Sequence, residues 1–294
     1  MSPLKSGRAR WPRLAVLLLS LAGLFAVNTA PAAYASEPNP VAEAQELAAP
    51  DVPGANDWEC EPTAEHPNPV VLVHGLLFDA ALSWFYMSPR LAGAGYCVFA
   101  LNYGEENGVA GVSPMEESAV ELASFVTGVK AATGAEEVDL VGHSQGGLMP
   151  RWYLRFEDGA AHVGEFVGLA PPNHGSDINF IDLLPPDMAD ALCGSCRQFS
   201  HGSEFLTTLN EGRDVEPGVD YTTVNTRYDE AVVPYTRGFL DGPAEQVTNV
   251  VLQDACWFHL GKHATPLYDR VTLQWVLNAL GRSGPADPDF RPSC

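Results

Sequence analysis

Gly142-His143-Ser144-Gln145-Gly146 follows Val138-Asp139-Leu140-Val141, an apolar run of strand character, and precedes Gly147-Leu148-Met149, which can open a helix. A serine on so sharp a strand-to-helix turn takes a strained backbone. Glycines two before and two after it let neighbouring chain pass without a Cβ clash. The turn would lift Oγ of Ser144 clear of a sheet, where it can act as a nucleophile. It would also aim the Gln145 N–H at any oxyanion formed there.

The flanking sequence supplies the sheet that such a turn requires. Pro69-Val70-Val71-Leu72-Val73 is a continuous apolar run ending at His74-Gly75, as expected of a parallel strand buried on both faces. Further strands are expected at Tyr96 to Leu101, Val163 to Leu169, Asp220 to Val224 and Val247 to Leu252. Helices are expected between them. One spans Ser83 to about Leu91, and one starts at Ser113-Pro114-Met115-Glu116, with Ser113 as cap, and stops at Gly134. Pro150 should kink or restart the helix after Ser144. A last helix buries Leu273, Val276, Leu277 and Leu280 and stops at Gly281. Strands alternating with helices in this way predict an α/β fold, a mostly parallel, doubly wound sheet with helices on both faces. The segment from Asn173 to Arg213 is too long for a plain connection. Ile181, Leu184, Met188 and Leu192 share a helical face there, interrupted by Pro185-Pro186, and fit either a small mobile apolar cap or ordinary core packing.

Lys5, Arg8, Arg10 and Arg13 precede an apolar stretch from Leu14 to Val27 that is too short to span a membrane. Ala33-Tyr34-Ala35 then offers a small-x-small cleavage site, so residues 1–35 read as a signal peptide of a secreted, extracellular protein. Residues 36–58 are rich in Pro, Ala, Glu and Asp without a period and are expected to form a flexible leader, leaving residues 59–294 as one catalytic domain. The formal net charge of −21 repels phosphate backbones and anionic membranes, which argues against nucleic acid as a partner. Six cysteines in an exported chain predict three disulfides among fifteen connectivities. Spacing suggests Cys60 with Cys97, Cys193 with Cys196, and Cys256 with Cys294. A zinc site at Cys193-Gly-Ser-Cys196 lacks a second ligand pair, and no acidic cluster has the spacing of a calcium loop, so neither metal nor cofactor is expected.

An activated serine needs a base, and the base an orienting carboxylate. Asp229, just past the strand ending at Val224, stands where the acid belongs. Its neighbour Glu230 should point the other way, and Asp241, Asp254 and Asp269 fit less well by position. His259 and His263 both fall in the loop between the last strand and the last helix, and either can serve as base. His143, His74 and His174 read as structural, with His143 packed beside the turn.

The sequence resembles the secreted bacterial class 2 lipases, α/β hydrolases akin to fungal lipase B. The resemblance rests on Pro69 to Gly75, on Phe99-Ala100-Leu101-Asn102-Tyr103-Gly104, on Gly142 to Gly147, on Leu169-Ala170-Pro171-Pro172-Asn173-His174-Gly175, on Thr226-Arg227-Tyr228-Asp229, and on Leu267-Tyr268-Asp269. It implies an α/β-hydrolase fold and a Ser144, Asp229, His263 triad. His263 is favoured because the family's histidine stands six residues before the aspartate of Leu-Tyr-Asp. Relatives commonly carry an acidic residue where Lys262 stands here. The oxyanion hole would be the N–H groups of Leu76 and Gln145. Several relatives have threonine in place of Leu76, and the hydroxyl that leucine lacks can contribute roughly 3 kcal/mol. The expected activity is cleavage of carboxylic esters, acylglycerols first, by a monomer acting on ester or lipid substrate at a lipid–water interface. A short-chain carboxylesterase, a polyester hydrolase, an acyltransferase or a silent binding protein on the same fold are the alternatives.

Overall fold

A computed structural model describes residues 39–294, so the signal peptide expected over residues 1–35 lies outside the described residues. Six strands, β1 (Val70–Val73), β2 (Val98–Leu101), β3 (Val138–His143), β4 (Val163–Leu169), β5 (Asp220–Asn225) and β6 (Val247–Val251), form one sheet in the order β2-β1-β3-β4-β5-β6. Every pairing is parallel. The apolar runs explain this: all four residues of β1 and of β2 are buried, which only a sheet covered on both faces provides. Val71, Val73, Phe99, Leu140 and Phe166 pack beneath α4 (Met115–Thr133) and α5 (Pro150–Phe156). Val70, Leu72, Val98, Val141 and Val167 pack beneath α2 (Ala80–Trp84), α3 (Ser88–Gly93) and α8 (Arg270–Leu280). Because β1 lies between β2 and β3, the chain order reverses there. A crevice opens at such a point beyond the carboxyl ends of the strands.

Local chemistry corrects several expectations. The leader is not flexible from Asn39 onward: Asn39 caps α1 (Pro40–Leu47), and α1 packs on α4. Beyond it, Ala49 and Asn56 donate backbone N–H bonds to the β2 residues Ala100 and Val98, covering the edge of β2 that would otherwise be open. The helix expected from Ser83 to Leu91 is two short ones, because Pro89 cannot donate to the preceding turn and a new helix begins at Ser88. Ser113 does not cap α4. Pro114 occupies the cap position, and the Met115 N–H is taken by Oε1 of distant Gln198 at 2.8 Å. Gly134 ends α4 in the left-handed conformation, and Pro150 restarts the chain as the first residue of α5 after a short 3-10 turn over Ser144–Gly147.

Disulfides join Cys60 to Cys97, Cys193 to Cys196 and Cys256 to Cys294. The excursion after Asn173 divides in two. α7 (Glu204–Leu209) sends Phe205, Leu206 and Leu209 into the core, whereas α6 (Pro186–Leu192) buries only Ala189 and leaves Met188 and Leu192 exposed. The helical face read through Ile181 and Leu184 is broken at Pro185, where α6 starts afresh. Among the described residues no helix is long and apolar enough to cross a membrane.

Candidate active site

Ser144 sits at the end of β3 with φ of 53°, the left-handed strain expected of a residue on a sharp turn. The turn closes only because its neighbours lack side chains. A Cβ on Gly142 would strike the Gly146 carbonyl, and one on Gly146 would strike the carbonyls of Val73 and His74. Oγ of Ser144 is thereby brought 2.9 Å from Nε2 of His263, while Nδ1 of the same ring lies 3.0 Å from Asp229 Oδ2. The Asp229 carboxylate is almost fully buried, and its Oδ1 also accepts N–H bonds from Ala231 at 2.9 Å and Val232 at 2.8 Å. An acceptor so placed takes the Nδ1–H of the imidazole. Nε2 is then left as the lone-pair acceptor facing the Ser144 hydroxyl.

His259 is not part of this chain of bonds. Its Nε2 faces Asp269 Oδ1 at 3.3 Å, and its Nδ1 accepts the Gly261 N–H at 3.2 Å. Asp269 also caps α8 through Thr272, and Asp254 pairs with Arg227 at 2.5 Å. Glu230 does not point away: Oε2 accepts the backbone N–H of His263 at 3.1 Å.

Opposite Ser144, the peptide between Gly75 and Leu76 is held from behind. His74, wholly buried, donates Nδ1–H to the Gly75 carbonyl at 2.9 Å and accepts the Tyr103 N–H on Nε2 at 3.2 Å. Burial pushes its pKa down to about 4, so the ring stays neutral. A planar trans peptide sends its N–H opposite to its C=O, so this bond fixes the direction of the Leu76 N–H. That N–H has no acceptor among the described residues. The Gln145 N–H stands in the first turn after β3, where a helix offers it no partner of its own. Among the described residues no group of three or more His, Cys, Asp or Glu side chains is arranged to hold a metal. The arrangement provides a hydroxyl with a base, a carboxylate behind the base, and N–H groups free of partners.

A model of the family described as Lipase (class 2) matches residues 67–275. The chain belongs to the class 2 lipase family. Triacylglycerol lipases of Pseudarthrobacter phenanthrenivorans and Burkholderia plantarii are each 32% identical to it over 126 residues, 40% of this chain. The match spans only 38% and 34% of the length of those two relatives. Aspergillus fumigatus lipase B superposes with a TM-score of 0.68 at 24% identity, over 81% of this chain and 57% of that one. Bacillus licheniformis lipase BlEst2 in its mature form superposes with a TM-score of 0.58 at 17% identity, over 75% and 94%. At these identities the likeness is one of fold, the α/β-hydrolase architecture.

Two further polar residues join the loops of this site, and one of them, Gln253, lies in no run that sequence reading singles out. Thr226 Oγ1 donates to the Gly261 carbonyl at 2.5 Å, and Gln253 Nε2 reaches Thr226 Oγ1 at 2.9 Å and the His259 carbonyl at 3.0 Å. These bonds tie the Asp229 loop to the His263 loop. Gln253 belongs to no motif, whereas Thr226 opens the Thr226-Arg227-Tyr228-Asp229 run on which the resemblance rests. The sequence signal for Gln253 is a polar side chain directly after the apolar Val250-Val251-Leu252.

Proposed function

We propose that this class 2 lipase is a secreted serine hydrolase that cleaves carboxylic esters of apolar acids, acylglycerols first among them. The reading is carried by the chain of bonds from Asp229 through His263 to Ser144. In the forward half, Ser144 Oγ attacks the ester carbonyl as its proton passes to His263 Nε2. The carbonyl oxygen, now negative, accepts the N–H groups of Leu76 and Gln145. The intermediate collapses with cleavage of the C–O bond, and His263 returns the proton to the leaving alcohol. In the second half His263 takes a proton from water as the water oxygen attacks the acyl carbon, the bond to Ser144 Oγ then breaks as His263 returns the proton to that oxygen, and the free acid departs. Asp229 stays ionised and holds the charged imidazole.

The preference for an apolar acid is supported by what flanks these groups. Exposed Leu77 and Phe78 follow Leu76, and exposed Trp257, Phe258 and Leu260 precede His263. Secretion is supported by the basic and apolar N-terminal stretch before Ser36 and by the three disulfides. The test is kcat/KM on nitrophenyl esters of two to eighteen acyl carbons, with Ser144→Ala as control. Serine-dependent activity that persists on long chains and rises on emulsions is the expected result. Activity confined to the shortest esters would make the protein a carboxylesterase, and activity surviving Ser144→Ala would remove the mechanism.

A further inference from the structure

His143 precedes Ser144 in the chain, is 2% exposed, and does more than fill space beside the turn. Its Nε2 lies 2.9 Å from the backbone carbonyl of His263. A carbonyl only accepts, so Nε2 carries the proton and the ring is the Nε2–H tautomer. Nδ1 is then a bare lone pair, and it has no partner among the described residues. Burial keeps the ring uncharged, its pKa pushed down to about 3. The slot it occupies is closed on the far side by Gly75, where an added Cβ would come within 3.1 Å of Nδ1.

The position of this bond gives it a purpose. His263 lies in a turn outside every strand and helix, so no backbone ladder fixes it. Its N–H is held by Glu230 and its C=O by His143, while its two ring nitrogens face Asp229 and Ser144. Of the two backbone clamps only His143 is also joined covalently to Ser144. Any slide of the His263 loop past the end of β3 must therefore break the His143 bond before the 2.9 Å approach of Nε2 to Ser144 Oγ can lengthen.

We infer that His143 is a positioning residue for the hydrolysis, fixing the separation between nucleophile and base through the His263 carbonyl. The inference rests on the proposed Ser144, His263, Asp229 reading. A residue that merely packed would be replaceable by any ring of similar size. A positioning residue must keep a hydrogen-bond donor, because an apolar ring there leaves a carbonyl unpaired and the loop unpinned.

The experiment compares His143→Phe, which fills the slot without a donor, with His143→Gln, whose amide retains one. Activity on nitrophenyl butyrate is expressed per active site titrated with a fluorophosphonate, so unfolded protein drops out of the rate. For His143→Phe, kcat should fall by about 10²-fold, the scale of a misplaced catalytic group, with KM nearly unchanged. His143→Gln should recover at least about tenfold of that loss. Equal kcat per site in both variants, whether near wild type or equally reduced, would overturn the inference. If neither variant folds, the wild-type protein still decides. Nitrogen-15 NMR of histidine-labelled protein, with the His143 ring told from His259 by the signal that persists in His259→Gln, should find His143 fixed as the Nε2–H tautomer and neutral from pH 5 to 9, and its absence would overturn the inference as surely. Ser144→Ala separates the two layers. If it is inert while the His143 variants behave alike, positioning alone falls; if it remains active, the triad reading and this inference fall together.

Discussion

The two ends of the sheet both bury polar side chains, and they do so with opposite results. At the carboxyl ends, His74, Ser144, Asp229 and His263 each meet a directed partner, and the sequence of bonds ends on a hydroxyl. At the amino ends Asp139 and Glu165, each 6% exposed, stand side by side on β3 and β4. Asp139 Oδ1 accepts from Asn68 Nδ2 at 2.9 Å and from the Glu165 N–H at 3.1 Å, and Glu165 Oε1 accepts the Thr222 hydroxyl at 2.8 Å. Burial pushes Asp139 up to about 7 and Glu165 up to about 8, the largest shifts among the described carboxyl groups. His66, Glu137, Asp220 and Arg282 stand around them, but among the described residues no hydroxyl there is hydrogen-bonded to a histidine. A displaced titration therefore marks burial here, whereas convergence of a hydroxyl, a base and free N–H donors marks chemistry.

The sharpest way to break this contrast is to make one isosteric change at each end. In Asp229→Asn the Oδ1 side can keep the Ala231 and Val232 N–H bonds, but the amide then donates to His263 Nδ1. The ring is left with its proton on Nε2, facing Ser144, which is the wrong tautomer for a base. A loss of kcat of about 10⁴-fold is expected, with the melting temperature little changed. Asp139→Asn should leave kcat within twofold of wild type. If the second change cost activity as the first does, the two ends would not be distinct.

A smaller effect tests the donors opposite Ser144. Leu76→Thr adds a hydroxyl beside the Leu76 N–H and should raise kcat by about tenfold without altering KM, since that donor acts on the oxyanion and not on bound ester. A change in KM alone would mean that Leu76 shapes binding and not charge stabilisation.

The amino end should be visible in stability rather than rate. Asp139 and Glu165 are acids raised by burial, so below about pH 4 both folded and unfolded chains hold these protons and nothing is gained or lost. Between about pH 4 and 8 the unfolded chain releases protons that the folded chain keeps. Stability must fall as pH rises through that window, by up to about 1.4 kcal/mol per pH unit for each proton retained, and then level off. The variant carrying Asp139→Asn and Glu165→Gln keeps the accepting oxygens and removes the protons. Its melting temperature should exceed that of wild type by a margin that widens from pH 5 to pH 8. A margin independent of pH would show that the pair does not titrate on folding.

The strands and the turn at Ser144 were legible because each rests on local pattern: continuous apolar runs for β1 and β2, and glycines where a Cβ cannot fit. Other features depend on contacts between distant residues of small size or plain polarity. α1 was missed because its one buried side chain is Ala44, which meets Gly128 of α4, where a Cβ would collide with Ala44 and with the Pro40 carbonyl. A small-on-small contact leaves no hydrophobic period to read. The start of α4 was misread because its cap comes from Gln198, far along the chain. His263 was separable from His259 by family register but not by spacing, since both lie in one loop; their different partners, Asp229 and Asp269, exist only in the folded chain. Glu230 and His143 were read as bystanders because their contacts are to backbone atoms, which any sequence possesses.

The proposed hydrolysis has its chemistry at the carboxyl end of the sheet, on Ser144. The most direct measurement is mass spectrometry of the protein after reaction with a fluorophosphonate, with peptide mapping of the adduct and Ser144→Ala and His263→Ala in parallel. One adduct is expected, on Ser144, absent from Ser144→Ala and formed far more slowly in His263→Ala. An adduct on another residue, or labelling of Ser144 at the same rate without His263, would contradict it.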